Sequence, residues 1–176
     1  MEILDIQEEI LDFLLRKHQI NPSIKFTTRR INRNNKLENK FWFIGNEKYF
    51  EFSFWEGKDG KTGLNNLGFT IRWNDKRKEV HYNFSSKFGN GIEIINILVP
   101  ILNIPKVENP NYNYWEKCII KNPQNILEIK NSINDFINNE KEIIDKIVSE
   151  NPDKGIKFIS DEKFKTQINK INKFRL

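Results

Sequence analysis

The chain has 176 residues, 38% hydrophobic, 12% aromatic and 30% charged, with a net charge of +5. That length suits one domain with a real core, and the positive charge permits an anionic partner without requiring one. The lone Cys118 excludes an intramolecular disulfide framework and a cysteine-built zinc site, and no apolar run approaches the roughly 20 residues of a membrane span. The N-terminus is acidic and amphipathic rather than basic then apolar, so no signal peptide is expected and the location should be cytoplasmic.

Residues 2–18 read as an amphipathic helix, with Ile3, Ile6, Ile10, Phe13 and Leu14 at three- and four-residue steps. Asn21-Pro22 ends it. Residues 24–32 then read as a strand, with a turn at 33–36 and a return over 37–44. Gly45-Asn46 turns the chain into residues 48–55 (KYFEFSFW), a cleanly alternating strand. Phe50, Phe52 and Phe54 fall on one side; Tyr49, Glu51 and Trp55 fall on the other. Three glycines mark a loop, and residues 68–73 and 79–84 form the next two strands. These make a meander of about five strands.

The second half reads as mostly helical. Residues 91–102 are apolar, 105–123 are irregular, and 124–150 form one long helix with an isoleucine stripe. Residues 152–155 break it, and Ser160 caps a last helix. The fold class is α+β: a twisted antiparallel sheet with an N-terminal helix and a long C-terminal helix packed on it. One recognition domain is expected over residues 1–150. Residues 151–176 are expected as a helical appendage or the start of a linker.

Three constellations could carry chemistry. The outer sheet face combines rings and charge, and is expected to hold Trp42, Tyr49, Glu51, Trp55, Arg72 and His81. Rings stack on a base, a guanidinium meets phosphate or a ring edge, and a carboxylate accepts from an exocyclic amine. Tyr112, Tyr114 and Trp115, in the irregular stretch, are expected as its lid. The alternative is that a helix covers this face and the rings are packing. The second constellation is basic: Arg29, Arg30, Arg33, Lys36 and Lys40, with Lys76, Arg77 and Lys78 at a hairpin tip and Lys58 and Lys61 in the glycine loop. It suits phosphates. The third is Glu56-Gly57-Lys58, an acid-x-Lys of the kind that PD-(D/E)xK nucleases use with an upstream aspartate to hold magnesium. No aspartate lies between Asp12 and Asp59, so the segment is read as a turn. No cofactor or metal site is expected; His18 reads as structural and His81 as a ligand contact.

Phe41–Gly45 (FWFIG), Asn46–Phe50 (NEKYF) and Phe54–Gly60 (FWEGKDG), followed by GFTIRW and a C-terminal helix, resemble the amino-terminal recognition region of McrB-type modification-dependent restriction factors. The likeness spans about residues 1–150 and rests on element order and aromatic placement. It implies binding of DNA with a modified cytosine, the base being flipped into an aromatic pocket. It also implies a GTPase (AAA+) motor and a nuclease as partners, in the same chain or separate, since these residues hold no GTPase motif. The expected function is therefore modified-base recognition without catalysis. The alternatives are a metal-dependent PD-(D/E)xK-like nuclease, and a protein-interaction adaptor or inhibitor.

Overall fold

The computed structural model describes residues 1–57, 67–85 and 91–175. Helix α1 (Ile3–Ile20) buries Ile3, Ile6, Ile10, Leu11 and Leu14. The Asp5 carboxylate accepts from the Glu2 amide at 3.3 Å, and Lys17 and His18 sit where the helix dipole favours cations. His18 Nδ1 lies 2.8 Å from the Ile24 carbonyl oxygen, and its ring packs on Phe164.

The expected strands over 24–32 and 37–44 do not form as such. Residues 24–32 form no regular strand, and their backbone hydrogen bonds go to two partners. The Thr27 amide donates to the Ser53 carbonyl at 2.8 Å, and the Arg29 amide donates to the Trp42 carbonyl at 2.7 Å. A single 3₁₀ turn (Arg33–Asn35) follows, with Asn34, Asn35 and Lys40 in the left-handed region. Regular pairing starts with β1 (Ile44–Asn46) and β2 (Tyr49–Phe52).

Gly45 shapes the β1–β2 hairpin. Its φ is +147°, and a Cβ there would collide with the Tyr49–Phe50 backbone. Gly45→Ala should therefore destabilise the fold by about 1–3 kcal/mol, read as a lower urea midpoint with an unchanged slope. An unchanged midpoint would show that the hairpin relaxes freely.

The alternating strand expected over 48–55 ends early. Ser53 leaves the sheet: its amide donates to Thr27 Oγ1 at 2.9 Å, and its Oγ accepts from the Trp55 amide at 3.1 Å. Strand β3 (Trp55–Gly57) then pairs elsewhere. Strands β4 (Leu67–Asn74) and β5 (Arg77–Ser85) make a long hairpin. Helix α2 (Ile92–Leu102) follows, and the stretch expected to be irregular contains β6 (Lys106–Val107) and β7 (Tyr114–Lys121). The expected single long helix is two, α3 (Ile126–Asn139) and α4 (Lys141–Glu150), parted at Glu140 with φ −115°. Asn138 and Asn139 just before it are weak helix formers. Strand β8 (Ile156–Phe158) and helix α5 (Asp161–Asn172) end the described chain.

The protein is thus α+β. Among the described residues the main sheet is antiparallel and six-stranded, ordered β1-β2-β4-β5-β7-β6, beside a two-stranded β3-β8 sheet. One core contains Phe43, Phe50, Phe52, Phe69, Ile71, Val80, Tyr82 and Phe84 with apolar residues of all five helices. Phe52 stacks on Phe69 at 5.2 Å, and Phe136 of α3 stands edge-on to Phe69 at 4.7 Å. Each fully buried ring contributes roughly 1.5–3 kcal/mol. Residues 151–175, expected as part of an appendage, pack into the domain: β8 completes the β3 ladder, Phe164 and Ile171 are in the core, and Arg175 pairs with Glu8 and Asp12 of α1. No described helix is long and apolar enough to cross a membrane.

Candidate functional site

The face of the main sheet opposite the core carries the polar residues. Register places Tyr49 beside Arg72 and Arg72 beside Glu79. One row further along, Glu51, Thr70, His81 and Cys118 stand in line across four strands. Asn83 lies opposite Glu116, and Ser85 opposite Tyr114. Period-two alternation alone puts these side chains on one surface.

At its centre is a charged quartet. Arg72 binds Glu116 in bidentate fashion, Nη1 donating to Oε1 at 2.5 Å and Nη2 to Oε2 at 3.2 Å. Arg72 Nη1 also lies 4.0 Å from Glu79. His81 Nε2 is 2.7 Å from Glu79 Oε2, and Nδ1 lies against Glu116 Oε1. Burial pushes the Glu116 carboxyl up, but the hydrogen bonds and charges of His81 and Arg72 outweigh it and hold the group at about 2. The His81 hydrogen bond likewise lowers Glu79. Burial first, then the Glu116 charge, raises the Tyr114 phenol; burial and Glu51 raise Tyr49. Both phenols therefore stay protonated and can donate.

Arg72 of the quartet also lines a concavity of about 400 Å³. Tyr49 on β2 and Tyr114 on β7 lie at either side, Arg72 and Thr70 lie between, and Lys48, Glu51, Asn74 and Arg77 complete it. The neighbouring β4–β5 turn exposes Lys76, Arg77 and Lys78. Asn74 Oδ1 shapes this turn by accepting from the Lys76 and Arg77 amides at 3.0 and 3.1 Å.

Tyr49, Glu51, Arg72 and His81 thus share one face, as the alternation suggests, and Tyr114 joins them from β7, but Trp42 and Trp55 do not. Each is 1% exposed. Trp42 Nε1 donates to Glu8 at 2.5 Å, and Trp55 Nε1 donates to Asp145 at 2.9 Å. For Trp55 the departure at Ser53 is the cause, since it buries Phe54 and Trp55 in succession. Trp115 belongs to the core side of β7 and is 9% exposed. Tyr112 is half-buried, its ring 6.3 Å from Tyr114. Tyr114 and Trp115 belong to a sheet strand rather than a lid.

The basic residues divide. The Arg29 fork is bound to carbonyls, Nε to Phe41 at 2.9 Å and Nη2 to Gly45 at 2.8 Å. Lys36 pairs with Glu47 at 2.6 Å and lies over the Phe41 ring. Arg30 lies 3.7 Å from Glu56. Arg33 and Lys40 are exposed. Lys58 and Lys61 lie outside the described residues. The nuclease candidate Glu56 is buried and ion-paired with Lys163, with Lys157 at 3.6 Å. No group of three or more His, Cys, Asp or Glu among the described residues is arranged to hold a metal ion.

Glu79 and Glu116 were not anticipated. Glu116 lies in a stretch read as irregular, yet Tyr114, Glu116 and Cys118 alternate with Trp115 and Lys117, and that alternation was the available signal. Comparison with protein-family models, curated proteins and solved structures gives no match.

Proposed function

We propose that this chain is a cytoplasmic nucleic-acid-binding module that holds one base in the sheet-face concavity. The observation that carries the reading is the placement of two tyrosines on either side of Arg72, next to an exposed basic hairpin. A tyrosine ring offers a sequence-tolerant stacking surface, and Glu51, Thr70 and Arg72 offer acceptor and donor groups to a base edge. Lys48 and residues 76–78 would meet phosphates. The resemblance of residues 41–60 supports a more specific form: duplex DNA with a modified base, extruded to reach the concavity, with a motor and a nuclease, in the same chain or separate, completing a restriction system. The aromatic platform in this form is Tyr49 and Tyr114, not the tryptophans.

The test is binding of labelled plain, methylated, hydroxymethylated and glucosylated duplexes. Tyr49→Ala and Tyr114→Ala should each lower affinity about tenfold or more for the preferred duplex, because stacking on a ring is worth about 1–3 kcal/mol. Lys76→Ala/Arg77→Ala/Lys78→Ala should weaken every duplex alike and flatten the salt dependence. Unchanged binding in folded variants of both kinds would remove this face from the interface.

A further inference from the structure

A second concavity, of about 440 Å³, shares no lining residue with the sheet-face site. One wall is α5. Ser160, Lys163, Gln167 and Lys170 recur there at three- and four-residue steps, which places them on one helix face. The other wall includes Arg29 and Arg30. Lys170 Nζ donates to the Arg30 carbonyl and ties the walls together.

The charge of this cavity is strongly biased. Arg29, Arg30, Lys163 and Lys170 line it against a single acid, Glu162. Beside it the buried Glu56 carboxylate gathers Arg30, Lys157 and Lys163 at the cavity edge; it offsets one charge of these three, so the excess stays positive. Among the described residues the Arg29 fork donates to the Phe41 and Gly45 carbonyls, neutral acceptors that leave its charge in place, with Glu47 acting on it only through space. Gln167 supplies a separate observation. It is 7% exposed, and its Oε1 accepts from Thr28 Oγ1 at 3.4 Å. Its buried Nε2 meets no acceptor among the described residues. A buried donor without an acceptor is costly, and a turn of the amide toward the cavity would let an anionic oxygen relieve it.

We infer that this cavity binds a phosphate group, carried by a small molecule or by the end of a nucleic-acid strand. Several cations with hydroxyl and amide donors suit a dianion of tetrahedral oxygens better than a lone carboxylate. The volume exceeds that of phosphate and leaves room for the group that bears it.

The experiment is calorimetric titration of the full chain with inorganic phosphate, adenosine 5′-monophosphate, and a short oligonucleotide with or without a 5′-phosphate. Saturable binding of the phosphorylated probes is expected. Tighter binding of the monophosphate marks a small-molecule ligand, and tighter binding of the 5′-phosphorylated strand marks a strand end. Lys170→Met should weaken binding about tenfold, since it removes one charge-assisted contact. Thr166→Glu, at an exposed lining position, should abolish it by placing a carboxylate in the cavity. Glu162→Gln should strengthen it, a sign that loss of folding cannot mimic. Tyr49→Ala should leave it unchanged, which separates this site from the sheet face. No saturable binding by the folded wild type up to about 10 mM, or equal affinity in Thr166→Glu and Lys170→Met, would overturn the inference.

Discussion

Trp55→Ala should destabilise the protein by about 3–5 kcal/mol, the usual cost of truncating a fully buried tryptophan. The ring stands edge-on to Phe54 and Phe136, at 5.8 and 6.3 Å, and Lys141 Nζ is 5.6 Å from its centroid. Its Nε1 binds Asp145, which also holds Lys141 at 2.6 Å. Truncation therefore opens a cavity and strips a donor from a carboxylate at once. Domains of this size have only about 5–15 kcal/mol of net stability, so the loss is a large share. Trp55→Phe keeps most of the apolar volume, gives up the hydrogen bond, and should cost about 1–2 kcal/mol. Urea unfolding followed by circular dichroism checks both. Trp42→Ala should behave like Trp55→Ala, with Glu8 losing its indole donor. A Trp55→Ala protein of normal stability that fails to bind nucleic acid would return the ring to the ligand site.

The error over Trp55 shows where alternation stops being informative. KYFEFSFW is periodic through Phe54, and nothing in its own sequence marks the exit at Ser53. The cause is a distant residue: Thr27 occupies the backbone of Ser53, and the next strand is completed by β8, about a hundred residues later. Pairing at that separation leaves no local signal. The same holds for Glu56, whose cationic neighbours among the described residues are Arg30, Lys157 and Lys163. The β4–β5 hairpin was legible because its information is local. Asn74-Asp75 begins a tight turn, and Phe69, Ile71 and Trp73 alternate with Thr70 and Arg72. From that hairpin and β2, the company of Tyr49, Arg72 and His81 follows by register.

Helix boundaries divided along the same line. The start of α1 and the Ser160 cap of α5 were readable from short-range chemistry, and Ser160 Oγ does accept from the Lys163 amide at 3.3 Å. The break at Glu140 was hidden because the isoleucine stripe continues through it. Asparagine, which composition alone makes easy to dismiss in this chain, does specific work in turns and caps. Asn125 accepts from the Glu128 amide at 3.1 Å, and Asn34, Asn35, Asn103 and Asn122 take left-handed backbone positions.

Glu116→Gln should remove a pH-dependent part of the stability. In the folded protein Glu116 titrates at about 2, against an ordinary value of 4.5, and Glu79 is also lowered. A depressed carboxyl binds protons more readily when unfolded, so its contribution is complete above the unfolded value and disappears as pH falls through the folded one. The wild type should therefore lose stability from near pH 4.5 down to about 2, and Glu116→Gln should flatten that fall. At neutral pH the substitution also leaves Arg72 without its bidentate partner. That should cost about 1–3 kcal/mol, toward the lower end because Arg72 keeps some contact with water. Arg72→Met should cost a similar amount by leaving Glu116 and Glu79 close together without the guanidinium between them. The double variant should cost less than the sum, which isolates the coupling. Urea titrations from pH 7 to pH 2 on the four proteins give both quantities. Parallel acid profiles for wild type and Glu116→Gln would show that the quartet is not a source of acid sensitivity. The same variants connect stability to binding, because Arg72 lies between the two tyrosines of the proposed base site. If Glu116 fixes Arg72 for a ligand, Glu116→Gln should weaken nucleic-acid binding at neutral pH even under conditions where the variant is fully folded.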